Sequence, residues 1–88
     1  MIVHDEMHEV RLHGWREGAL KVTATKTIQA HTKFGLAQAK EAVDRCLEGK
    51  ITVFTFDSVE PALGFSNAIN EIGFISEVFK SDTGDLVS

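Results

Sequence analysis

Apolar residues recur along the chain with two different periods, and the change from one to the other marks its elements. From His8 to Trp15 they alternate, with Val10 and Leu12 on one side and Glu9 and Arg11 on the other, as in a half-buried strand. Gly14 to Gly18 reads as a turn. Leu36, Ala39, Val43, Cys46 and Leu47 then fall at helical spacing, with Gln38, Lys40, Glu41, Asp44 and Arg45 opposite them, and Gly49 supplies the stop. Lys50 to Phe56 is rich in β-branched and aromatic residues and predicts a second strand. Asp57 and Ser58 offer an N-cap for a helix that tolerates Pro61 in its first turn; its apolar stripe is Val59, Ala62, Phe65, Ile69 and Ile72, closed by Gly73. Phe74 to Lys80 predicts a last strand. Phe74, Ser76 and Val78 share one of its faces and Ile75, Glu77 and Phe79 the other, and alternation alone does not say which is inward.

The stretch before Leu36 is ambiguous. Thr23, Thr25 and Thr27 favour a strand by propensity. On helical spacing, Leu20, Ala24, Thr27, Ile28 and His31 form one stripe, and Val22, Thr25, Lys26 and Gln29 form the opposite one, flanked by Lys21. A helix would thus bury the first stripe and present a valine among lysines to water.

Charge sharpens this. The chain has 9 Lys or Arg against 13 Asp or Glu, a net charge of −4, yet from Ala19 to Lys40 it carries Lys21, Lys26, Lys33 and Lys40 and no acid. Such segregation makes one surface a landing site for an acidic partner, because unlike potentials speed encounter and fix orientation. The net acidity disfavours general nucleic-acid binding. The 88 residues make one small domain with room for a single core. A lone cysteine, Cys46, excludes an internal disulfide and fits a reducing, cytoplasmic setting. No signal sequence or membrane span is expected. Residues 1–7 and 81–88 read as flexible ends around a domain over residues 8–80.

The run Lys21-Val22-x-x-x-Lys26-x-Ile28-Gln29-x-x-Thr32-Lys33-Phe34-Gly35-Leu36-x-x-Ala39-Lys40-x-x-Val43-Asp44 resembles the C-terminal domain of the ribosomal stalk protein of the bacterial large subunit. The resemblance is tight over about two dozen residues, without gaps, and looser from His8 to Lys80. It implies an α+β fold, a two-layer sandwich in the order strand-helix-helix-strand-helix-strand, with helices over one face of a three-stranded antiparallel sheet. It also decides in favour of the first helix. In that family the exposed side of the first two helices recruits the GTPase factors of translation. The expected contact surface is therefore Lys21, Val22, Thr25, Lys26, Gln29, Lys33, Phe34 and Lys40, with Gly35 and Leu36 at the adjoining turn. Between two helices Gly35 is expected to tolerate a positive φ. The surface departs from the family at Gln29, where arginine is usual, at Thr25, where an aliphatic residue is, and at Ala37, where lysine often is; Lys33-Phe34 replaces glycine-leucine. The family's N-terminal dimerisation region and alanine-rich hinge are not in the sequence, so a stalk-type domain is expected rather than the stalk protein itself.

Two alternatives use the same fold. The Clp protease adaptor that binds protein N-termini shares the element order, but its Asn-Asp pair after the first strand is replaced here by Gly14-Trp15-Arg16-Glu17-Gly18, and its histidine near the end of the second helix by Cys46-Leu47. A small immunity or regulatory protein would use the fold with an unrelated surface. Catalysis finds little support. His4-Asp5-Glu6-Met7-His8 has the histidine spacing of a zinc metalloprotease helix, but Asp5 stands where the general-base Glu belongs and the segment lies at an expected loose end. Cys46 and His31 fall on apolar stripes and read as core residues rather than nucleophile and base. Trp15 is expected to close the end of the core with its N–H in water. The sequence thus points to a non-catalytic, cofactor-free domain, monomer or weak dimer, whose lysine-bearing helical face binds an acidic protein, a translational GTPase or ribosome-associated protein being the kind implied.

Overall fold

A computed structural model describes residues 7–80 and 86–87. Its elements are β1 (His8–Trp15), α1 (Lys21–His31), α2 (Leu36–Leu47), β2 (Thr52–Phe56), α3 (Val59–Glu71), β3 (Phe74–Lys80) and β4 (Leu86–Val87). The antiparallel sheet runs in the order β2-β1-β3-β4, with the first strand of the chain inside it. The three expected strands and three helices are present, in the expected order. The fourth strand is an addition. Leu86–Val87, expected in a loose tail, pairs with Phe79 and Val78.

The helices cover one face of the sheet. Val10, Leu12, Phe54, Phe56, Phe74 and Val78 point into them and meet Ala24, Ile28, Ala39, Val43, Cys46, Ala62, Phe65 and Ile69. Phe65 of α3 is fully buried against both aromatic residues of β2, with ring centroids 4.9 Å from Phe54 and 5.6 Å from Phe56. The inward face of β3 is thus Phe74, Ser76 and Val78. A buried serine there needs partners, and α3 supplies them: the Ser66 and Ser76 hydroxyls lie 2.7 Å apart, and Asn70 Oδ1 accepts from both the Ser76 hydroxyl and its N–H at 2.9 Å.

Glycines shape two connections. Gly49 after α2 has φ +85°, and Gly73 after α3 has φ +102°. A Cβ at Gly73 would lie 2.8 Å from Ala19 Cα, because Arg16 N–H and Leu20 N–H donate to Gly73 O and Ile72 O and pull the two connections together. Gly35 corrects the sequence reading. It has φ −78° and caps α2 in extended backbone, with nothing crowding it. Ser58 is the N-cap residue of α3, without a side-chain capping bond, and Pro61 sits in the first turn.

Two further expectations change at the ends of elements. Trp15 is 48% exposed and does not join the core, although its partner across the sheet, Phe74, is fully buried. His8, the last residue of the metalloprotease-like run, is buried at the start of β1 rather than on a helix; His4, Asp5 and Glu6 lie outside the described residues.

Candidate functional site

α1 has a weak apolar face, and tertiary contacts rather than patterning set its rotation. Ala24, Thr25 and Ile28 are buried. Leu20 precedes the helix as its N-cap residue and is exposed, and His31, its last residue, is exposed as well, though its ring lies 5.8 Å from Phe65. Both had been expected in the core. Thr25 moves the other way, from the expected contact surface to the interior. Its hydroxyl donates to Lys21 O at 3.1 Å, which satisfies it locally and lets its methyl group be buried.

This rotation leaves Lys21, Val22, Lys26 and Gln29 on the outer side of α1, facing the start of α2. With Leu36, Lys40, Val43 and Asp44 of α2, and an edge of Thr25, they line a groove of about 280 Å³. Its apolar part is Val22 (71% exposed), Leu36 (54% exposed) and buried Val43 beneath them. Around it stand Lys21, Lys26 and Lys40, none in a salt bridge among the described residues, with Asp44 as the one carboxylate. Seven of the ten residues expected at the contact surface meet here: Lys21, Val22, Thr25, Lys26, Gln29, Leu36 and Lys40.

Lys33 and Phe34 do not. Thr32 closes α1 by donating its hydroxyl to Ile28 O at 2.6 Å and accepting Phe34 N–H at 3.1 Å, while Gln38 Oε1 accepts Gly35 N–H at 3.1 Å. These bonds turn the loop back over β2. Phe34 becomes half-buried against the core, its ring centroid 5.0 Å from that of Phe54, so the expected second apolar centre of the helical face belongs elsewhere. Lys33 and Phe34 line a different groove of about 770 Å³, between this loop and the outer edge of β2. Gly35, exposed, separates the two.

The chain matches no family model, no curated protein and no solved structure. The site's chemistry therefore rests on its geometry. Among the described residues, no group of three His, Cys, Asp or Glu side chains is placed to hold a metal. Cys46 is buried, its thiol 3.2 Å from Gly14 O, and burial raises its pKa above the ordinary value of 9.0, opposite to what a nucleophile requires. Glu17, the carboxylate weighed for an adaptor-type amine site, is exposed in the turn after β1. No helix among the described residues is long and apolar enough to cross a membrane.

Proposed function

We propose that the chain is a non-catalytic protein-interaction domain of ribosomal-stalk type, which binds an acidic protein surface through the groove between α1 and α2. The observation that carries this is the combination in one groove of an exposed apolar centre, Val22 and Leu36, with three lysines around it that are in no salt bridge among the described residues. A partner that projects an apolar side chain between carboxylates satisfies both at once: the anchor gives residence and the charges give rate and orientation. The resemblance to the stalk domain names the class, a translational GTPase or another ribosome-associated protein in the cytoplasm. Gln29 and Ala37, where the family carries positive charge, make this face less basic than is usual there and leave more of the affinity to the apolar centre.

The experiment is a titration of the isotopically labelled protein with purified translational GTPases at low and high salt. Amide shifts confined to α1 and the start of α2, weakened by salt, are the expected result. Lys21→Glu with Lys26→Glu reverses the rim and should slow association on the order of tenfold or more. Unchanged binding by this variant overturns the proposal.

A further inference from the structure

The second groove has a use of its own. β2 is an edge strand, with β1 on one side and no neighbour on the other among the described residues. Five consecutive residues, Val53 to Asp57, line the groove, which a strand does only when its backbone edge faces it. Edges of this kind are usually blocked by proline, lysine or a bulge, because their free N–H and C=O groups recruit other strands. Thr52–Phe56 has no proline or lysine, and its register against β1 is unbroken. The far wall is the α1–α2 loop, where Phe34 offers an apolar surface beside the edge and Lys33 stands exposed, without a salt bridge among the described residues. Asp57, the carboxylate of the groove, lies just before Ser58 at the N-terminus of α3, where the helix dipole offsets its charge. Its volume of about 770 Å³ is ample for a short stretch of chain.

We propose that this groove takes an extended acidic segment of a partner protein as an added strand on β2, with an Asp or Glu of that segment against Lys33. Main-chain hydrogen bonds to the β2 edge supply much of the affinity, and the alternate side chains that face Phe34 and Lys33 supply the selectivity. A bare segment suits the shape better than a second copy of this chain, which would bring its own helical wall against this one at the same edge. The site is separate from the α1–α2 groove and does not depend on its use.

The test selects random linear peptides, displayed on phage, against the intact protein, then synthesises the enriched ones. Enriched peptides should carry an apolar and an acidic residue two positions apart, on the face turned to Phe34 and Lys33, and should slow hydrogen exchange at alternate amides of Thr52–Phe56. Lys33→Glu, an exposed loop change, should weaken them about tenfold, while Lys21→Glu with Lys26→Glu leaves them bound. The proposal is overturned if nothing is enriched, if the peptides are cationic, or if they bind without protecting β2. It is equally overturned if the β2 amides are protected in a concentration-dependent way without peptide, which would assign the edge to a second copy.

Discussion

The buried pair Ser66 and Ser76 offers a quantitative check on how α3 holds β3. Ser76 Oγ takes part in two short hydrogen bonds, to Ser66 Oγ at 2.7 Å and to Asn70 Oδ1 at 2.9 Å, whereas Ser66 Oγ shares only the first. Net hydrogen-bond contributions are about 1 kcal/mol each, so Ser76→Ala should cost about 2 kcal/mol and Ser66→Ala about 1 kcal/mol. The two losses share one bond. The double variant should therefore cost about 2 kcal/mol rather than about 3, a coupling of about 1 kcal/mol. Asn70 Oδ1 keeps the Ser76 N–H in every variant, so the strand should not detach. Urea denaturation of the four proteins, read by circular dichroism, gives the cycle directly, with an unchanged slope showing that only stability moved. Additivity within about 0.3 kcal/mol would refute the reasoning. It would mean that Ser66 finds an equivalent acceptor in its own helix and that the inter-element bond adds nothing.

Other outcomes follow from single positions. Gly73→Ala should destabilise by more than about 1 kcal/mol in a thermal melt, since its φ of +102° and the contact with Ala19 both resist a side chain, whereas Gly35→Ala should change stability by less than about 1 kcal/mol. Cys46 should impose a pH dependence. Below its ordinary pKa the thiol is protonated in both folded and unfolded chains; above pH 9.0 the unfolded thiol ionises first, binds fewer protons than the native one, and stability falls until the native thiol ionises too. Subtracting the stability curve of Cys46→Ala isolates this loss, and a flat difference above pH 9.0 would contradict it.

What could be read from the sequence follows from how strongly each element is patterned. α2 and α3 carry one-sided apolar stripes, and Ala39, Val43, Cys46, Ala62, Phe65 and Ile69 are buried as expected, while β2 was legible from its β-branched and aromatic composition. α1 has no such stripe. A threonine whose hydroxyl closes on its own helix counts as apolar, so Thr25 went inward, while Leu20 fell outside the helix and lost its place on the stripe. Ser76 was undecidable because its inward position depends on Ser66 and Asn70, residues of another element. At the site, helical spacing, which put Lys21, Val22 and Lys26 on one face, and the stalk resemblance, which added Lys40, agree with the groove that these four residues line. They failed at Phe34, whose direction is set by the bonds of Thr32 and by the ring of Phe54. The edge of β2, unpaired among the described residues, left only a faint trace: a strand without a guarding lysine or proline.

The position of β1 inside the sheet has a consequence for how the chain is made. β1 is synthesised first, yet its partners are β2 and, at the far end of the domain, β3, with His8 opposite Lys80. While the chain emerges from a ribosome, the edge of β1 that β2 covers can close once Phe56 is made, but the other edge stays open until α3 and β3 have been translated. Loop closure over that span is entropically slow. During that interval β1 lacks its neighbour β3, so nascent chains stalled before Phe74 should be strong clients for chaperones that grip exposed strands.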